Sequence, residues 1–305
     1  ERRTLTRMNQ RFSNDGGLQW TIGQEGHYQI CGATTPTLPP GAYSCDQDAC
    51  GKPLFIRRRL QADNLINVAD SVNSQIVKEV ERFWTLGEKF RQLGFLHRRG
   101  YLFYGKQGGG KSSLIHQIVS DVVSAGNVAF FCGRPYEFIR CLTQFRKVEP
   151  DRPLVCVFED IEAIIEDWGD NILLQWLDGN HQVDNAINLA STNYPEKLDR
   201  RIIARPRRFD RILRIDAPCA QLRDAYLRRK LPDQNAEERQ RWVEATHEFT
   251  FAALSELMIS VECLDDTFED ALDRLRALDT HEPSSREFVP VSASGAASAR
   301  RCQIQ

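Results

Sequence analysis

The segment from Gly105 to Ser112 constrains the fold of this chain more than any other feature. It reads Gly-Lys-Gln-Gly-Gly-Gly-Lys-Ser and satisfies the pattern G-x-x-x-x-G-K-[ST] without a mismatch. An apolar run at residues 101–104 precedes it, and apolar residues at helical spacing follow it. A strand that turns through glycines into a helix directs main-chain N–H groups and the positive helix end at a phosphate. The sequence therefore predicts a strand–loop–helix unit that binds ATP.

The side chains of this loop supply further contacts to the nucleotide. Lys111 can reach the β- and γ-phosphates as a point charge, and the Ser112 hydroxyl can ligate Mg²⁺. A flexible glycine turn with a chance Lys-Ser pair is the alternative, which the agreement of motif and context disfavours. The predicted ATP-binding residues are Gly105, Lys106, Gln107, Gly108, Gly109, Gly110, Lys111, Ser112 and Ser113.

A second candidate group is formed by Glu159 and Asp160, which directly follow the apolar run at residues 154–158. In phosphate-loop ATPases, one acid at this point holds Mg²⁺ through water and the next polarises the attacking water. By position, we assign Glu159 to the metal and Asp160 to water activation. Capping of the next helix is the alternative role for the pair, and Glu162 and Glu166 are expected on a solvated helical face.

The chain alternates apolar strands with amphipathic helices from residue 99 to residue 215, which predicts an α/β fold with a parallel sheet covered on both faces. Residues 221–278 show helical patterns alone and predict a C-terminal helical lid. Short alternating runs broken by glycine and proline predict a small N-terminal β-rich segment. The predicted domains are 1–74 (β-rich segment and linker), 75–218 (large α/β domain), 219–279 (lid) and 280–305 (a disordered tail).

Composition narrows the functional classes. The formal net charge is −2, so no global positive field favours nucleic acid or an acidic membrane. No apolar run is long and uncharged enough for a membrane-spanning helix, so we expect no integral membrane segment. The nine cysteines lack the spacing of a zinc site and indicate reduced thiols, which predicts a cytoplasmic protein.

Three further segments resemble the second region of homology of the AAA ATPases. Residues 187–195 read Ile-Asn-Leu-Ala-Ser-Thr-Asn-Tyr-Pro, Leu198-Asp199 follows, and residues 204–210 read Ala-Arg-Pro-Arg-Arg-Phe-Asp. The family pattern is a strand ending in Thr-Asn, then Leu-Asp, then Arg-Pro-Gly-Arg-Phe-Asp. Residues 173–179 are similar to the Leu-Leu-x-x-Leu-Asp-Gly helix end of the same family. With the phosphate loop, the resemblance covers about residues 98–218.

The resemblance implies roles for individual residues. Asn193 looks like the sensor that hydrogen-bonds the attacking water or the γ-phosphate, and Arg205 and Arg208 look like arginine fingers that reach a neighbouring subunit's ATP. It also implies a homo-oligomeric ring, a hexamer or heptamer, that acts on a protein client of unknown identity. A solvated basic loop is the alternative for the arginines, and Arg207 stands where the family has glycine.

Within the family, residues 99–105, residues 110–113 and the order Glu159-Asp160 most resemble the Bcs1-like subgroup. Its best-known members act in the mitochondrial inner membrane. Because this chain shows no membrane segment, we expect a bacterial or phage-encoded relative in the cytoplasm. Tyr136 is the candidate for an aromatic that grips a threaded client, with packing on a helix as its alternative. Residues 249–254 resemble a lid segment of the family, and residues 63–66 resemble a linker that packs on adenine.

Two other functions remain open from the sequence. A nucleic-acid-associated ATPase, such as a loader or replication factor, is the weaker alternative because the chain lacks a basic surface interleaved with aromatics. A module that binds nucleotide without turnover would not need a full catalytic set. That predicted set is Lys111, Glu159, Asp160, Asn193, Arg205 and Arg208.

Overall fold

The structure is a computed structural model that describes residues 19–22, 28–32, 34–60, 72–178, 182–203 and 207–280. Arg205, the adenine-linker resemblance at residues 63–66 and the predicted tail from residue 281 lie outside these residues. The chain divides into two compact units between Phe251 and Ala252, and each unit is described by itself. The domain boundaries expected from the sequence remain predictions.

The first unit is built on a seven-stranded sheet. Its strands occur in the spatial order β4-β3-β6-β7-β8-β5-β9, and all neighbouring pairs except β3–β4 are parallel. β1 and β2 form a separate antiparallel pair. The strands are β1 (Gln19–Ile22), β2 (Tyr28–Cys31), β3 (Gly41–Gln47), β4 (Pro53–Arg58), β5 (Arg98–Tyr104), β6 (Val128–Phe131), β7 (Leu154–Phe158), β8 (Ala186–Thr192) and β9 (Arg211–Arg214).

Helices connect these parallel strands, as crossover connections require. The predicted strands and helices between residues 99 and 215 are confirmed to within a few residues at their ends. The helices of the first unit are α1 (Val72–Trp84), α2 (Gly87–Gln92), α3 (Lys111–Ser124), α4 (Pro135–Val148), α5 (Ile161–Trp168), α6 (Asn171–Asp178), α7 (Arg200–Ile203), α8 (Ala220–Lys230) and α9 (Ala236–Ala245). A short 3₁₀ helix, Pro195–Lys197, follows β8.

The core lies on both faces of the sheet, because every residue of β6, β7 and β8 is buried. Successive residues alternate between the faces: Phe130 packs in the cluster with Trp176, whereas Phe131 packs in the cluster with Ile115. This is the two-sided burial that the apolar runs predicted for a parallel sheet.

The hairpin β3–β4 continues the main sheet. β3 pairs in parallel with β6, from Gly41 opposite Val128 to Ser44 opposite Phe131, and its residues Ala42 and Tyr43 are buried. The sequence predicted a small β-rich segment here but did not indicate its pairing with the main sheet. Pairing with β3 covers the edge that β6 would otherwise expose. Such pairing between distant strands has no local signature in the sequence.

The second unit contains most of α10 (Phe251–Glu262) and the whole of α11 (Phe268–Thr280). In it, Arg274 donates a hydrogen bond to the Ser260 hydroxyl at 2.5 Å and lies 3.4 Å from Asp266. The expectation of helices alone after residue 221 is confirmed for the described residues. None of the described helices combines the length and the apolar character needed to cross a bilayer.

Candidate nucleotide-binding and hydrolysis site

The glycine turn between β5 and α3 adopts backbone conformations that side chains rarely take. Gly105, Gly108 and Gly110 have φ angles of 148°, 73° and 106°, and Gly110 is the N-terminal cap of α3. A Cβ atom at Gly105 would stand 2.2 Å from the carbonyl oxygen of Ile215. The glycines therefore make both the turn and the close approach of the neighbouring chain possible.

Lys111 opens α3 and is only 5% exposed. Its Nζ atom donates hydrogen bonds of 2.8 Å to the carbonyl oxygens of Gly105 and Lys106. Burial lowers the pKa of Lys111, while the negative charges of Asp160 and Glu162 act in the opposite direction and raise it. The ammonium group is thus held against the loop, and the negative charges of two carboxylates act on it.

Three neighbouring strands bring the predicted catalytic residues to one edge of the sheet. Tyr104 pairs with Thr192, and Phe158 pairs with Ala190. Gly105, Glu159 and Asn193 follow the carboxyl ends of these strands, where ligands bind in open α/β sheets. The structure therefore brings the loop, the acidic pair and Asn193, the predicted sensor, together.

Asp160 and Asn193 are in direct contact. The Asn193 Nδ2 atom donates a 3.0 Å hydrogen bond to Asp160 Oδ1. Asp160 has a φ of 47°, a strained left-handed conformation, and its side chain makes no capping hydrogen bond to α5. The capping role that the sequence left open for Asp160 is therefore not seen, and its carboxylate is instead exposed beside Asn193.

Glu159 precedes Asp160 and is half-buried. Its Oε1 atom lies 3.6 Å from Nε2 of His116, on the second turn of α3. Ser112 is exposed on the first turn of the same helix. A hydroxyl and a carboxylate are hard oxygen donors, and Mg²⁺ commonly binds through one or two such groups together with phosphate oxygens and water. The donor set of Ser112 and Glu159 fits Mg²⁺.

The prediction that Glu162 lies on a solvated helical face is wrong, because this side chain is buried. It is only 8% exposed, and its Oε1 atom accepts a 3.0 Å hydrogen bond from the main-chain N–H of Asn193. Glu166, one turn further along α5, is exposed as expected, with 74% of its side chain accessible. Glutamate near a helix start is usually solvated, so only its spacing from Asp160 could have pointed to the site.

The loop that precedes β9 packs against the opposite end of β5. Asp210 donates its main-chain N–H to Gly100 O and accepts the Gly100 N–H on its carboxylate. Arg207 has a φ of 75°, so it adopts the left-handed conformation that glycine favours, at a cost in strain. Arg207 thus adopts a backbone conformation suited to glycine, and glycine is the residue that the AAA pattern has at this position.

Arg208 is buried within the fold. It is 4% exposed, its Nε atom is 2.7 Å from Asp178 Oδ2, and a terminal nitrogen donates to the carbonyl oxygen of Arg201. Sequence reasoning did not foresee the pairing with Asp178, thirty positions earlier. Arg205, the other predicted finger, lies outside the described residues, so its role remains a prediction.

Tyr136 is 58% exposed near the start of α4, and its ring lies 5.7 Å from the Arg140 guanidinium. Its ring lies beside Arg140 of its own helix, so gripping a client and packing on a helix both remain predictions.

Together, the sheet order, the glycine turn and the acidic strand end define a phosphate-loop nucleoside triphosphatase. Residues 101–217 match the family described as "ATPase family associated with various cellular activities (AAA)". The chain therefore contains an AAA ATPase domain, and its similarity to proteins named as ATPases supports ATP hydrolysis.

Three curated relatives illustrate the range of similarity. The ATP-dependent zinc metalloprotease FtsH of Marinobacter nauticus is 28% identical over 202 residues, which is 58% of this chain and 31% of that protein. The ATPase family gene 2 protein of Schizosaccharomyces pombe is 29% identical over 49% of this chain and 20% of its own length. The probable mitochondrial chaperone BCS1-A of Dictyostelium discoideum is 26% identical over 48% of this chain and 38% of its own length. This chain thus spans well under half of each relative.

Proposed function

We propose that this chain hydrolyses ATP with Mg²⁺ as part of a homo-oligomeric ring, a hexamer or heptamer, and uses the cycle to remodel or translocate a protein partner. Relatives named as an ATP-dependent protease and as a chaperone support a protein as the client. The catalytic contacts described above support turnover rather than passive nucleotide binding. The cytoplasm remains the proposed compartment, consistent with the free thiols of the described cysteines.

Each catalytic residue has a role that follows from its contacts. The glycine turn and Lys111 bind and orient the phosphates, because they supply N–H donors and an ammonium charge. Ser112 and Glu159 would hold Mg²⁺, which would neutralise negative charge on the phosphates. Asp160 accepts a proton from the attacking water, and Asn193, bonded to Asp160, orients that water.

The observation that carries the ring proposal is the distance between the arginine loop and the phosphate loop of the same chain. The arginine loop meets β5 at Gly100, and the phosphate loop leaves β5 at Gly105. Five residues of strand span roughly 16 Å. An arginine side chain extends over less than half of that distance, so a finger from this loop would have to act on the site of a neighbouring subunit.

Of the two candidate fingers, Arg208 is the one that lies among the described residues. Arg208 is engaged by Asp178 and by a main-chain carbonyl, so reaching a neighbour requires these bonds to break. We therefore propose that Arg208 first anchors the loop and that Arg205 makes the contact with the neighbouring phosphate.

An exposed Tyr136 supports a gripping contact with a client at the end of β6.

The test measures mass and turnover together. Light scattering of the full chain with ATP and Mg²⁺ should give a closed oligomer, and ATPase activity per subunit should rise steeply as protein concentration allows assembly. The Arg205→Ala variant should assemble and bind ATP but lose at least about a hundredfold in kcat. A monomer with full turnover at every concentration would contradict the proposal.

A further inference from the structure

We propose that Glu162 is a positioning residue for ATP hydrolysis, which holds Asn193 so that its side-chain amide meets the attacking water. This inference rests on the proposed ATPase function and deepens it. It concerns a carboxylate that the AAA sequence pattern quoted above does not include.

The first observation is the pair of bonds that fix Asn193. Its side-chain amide donates to Asp160 Oδ1, and its main-chain N–H donates to Glu162 Oε1, each over 3.0 Å. Asp160 is the N-terminal cap of α5, and Glu162 lies in the first turn of that helix. These two bonds hold Asn193 at two points, and the bond to Glu162 holds its backbone.

The second observation is the state of the other Glu162 oxygen. Among the described residues, Oε2 of Glu162 is buried and has no hydrogen-bond partner. A buried carboxylate oxygen without a partner is costly, and native structures usually satisfy such an atom with protein, water or a ligand. The charge of this carboxylate also acts on Lys111, which binds the phosphate loop. Burial of Glu162 is thus better explained by the site than by folding alone.

The geometry defines how Glu162 acts. Glu162 does not contact the side chain of Asn193. It accepts a hydrogen bond from the main-chain N–H and so fixes the backbone position from which the Asn193 amide projects. Loss of the carboxylate lets residue 193 shift, and displacements of about 1 Å at reacting groups can cost about a hundredfold in rate. Nucleotide affinity depends on the glycine turn and Lys111, so it should change little.

The experiment compares ATP turnover of full-length variants. Glu162→Ala should lower kcat about tenfold or more, with KM for ATP changed by less than about threefold. Glu162→Gln keeps an acceptor for the Asn193 N–H and should recover kcat to within about threefold of the parent chain. Glu166→Ala, the matched control on the exposed side of the same helix, should behave like the parent.

A double-mutant cycle separates positioning from a general structural role. In the Asn193→Ala background there is no amide to orient, so adding Glu162→Ala should cost no further activity. Thermal unfolding and binding of a slowly hydrolysed ATP analogue should show that each variant is folded and loaded. Additive losses, equal losses in Glu162→Ala and Glu162→Gln, or parental turnover in Glu162→Ala would overturn the proposal. An inactive parent chain would instead contradict the proposed ATPase function.

Discussion

Gly100→Ala tests the close contact between β5 and the arginine loop. A Cβ atom at position 100 would stand 2.1 Å from the carbonyl oxygen of Arg208 and 3.1 Å from the Cα atom of Phe209. Both are main-chain atoms, so no side-chain rotation relieves the overlap. The loop must move by at least about 1 Å to restore an ordinary contact.

The expected cost follows from three contributions. Overpacking typically destabilises a core by about 1–3 kcal/mol. Weakening one of the two hydrogen bonds between Gly100 and Asp210 adds about 1 kcal/mol. Reduced freedom of the unfolded chain offsets about 0.5–1 kcal/mol, so the free energy of unfolding should fall by about 1–3.5 kcal/mol.

Urea unfolding of the full chain, followed by circular dichroism, measures this change. Gly133→Ala is the matched control, because a Cβ atom there meets nothing within 4 Å and the backbone has no positive φ. It should stay within about 0.5 kcal/mol of the parent. If Gly100→Ala is as stable as Gly133→Ala, the arginine loop does not pack on β5 as described.

Three other substitutions have defined outcomes. Arg207→Gly should raise the free energy of unfolding by about 1 kcal/mol by relieving a left-handed backbone, whereas Arg207→Ala should not; equal urea midpoints for the two would contradict this. Arg208→Ala should lower the free energy of unfolding by about 2–3 kcal/mol, because Asp178 loses its buried partner. The control Arg211→Ala, at an exposed ion pair, should lower it by less than about 0.5 kcal/mol in the same denaturation assay. Asp160→Asn should keep ATP binding, measured by calorimetry, but lose at least about a hundredfold in phosphate release; undiminished release would remove Asp160 as the base.

The local parts of the site could be predicted from the sequence because they depend on short-range geometry. The glycines of the phosphate loop encode their own backbone conformations, and the lysine and serine follow at a fixed spacing. The apolar runs that precede Glu159 and Asn193 predicted parallel strands. Their carboxyl ends necessarily share one edge of a parallel sheet.

The remaining features depend on contacts between distant segments. Nothing in residues 41–58 indicates pairing with β6, because main-chain hydrogen bonds do not depend on side-chain identity. The partner of Arg208 is thirty residues away in the chain, and only the packing of α6 brings Asp178 within reach. The burial of Glu162 likewise depends on where β8 ends, which a single helical pattern does not contain.

Mixing two inactive variants tests most directly whether neighbouring subunits share each ATP site. One variant, Asp160→Asn, keeps its arginines, and the other, Arg205→Ala, keeps its carboxylate. In a randomly mixed ring, about a quarter of the interfaces join an intact arginine donor to an intact acceptor site. We predict that mixing restores ATP turnover to about that fraction of the parent level. Mixtures that stay as inactive as either variant alone, although both assemble and bind ATP, would contradict the account.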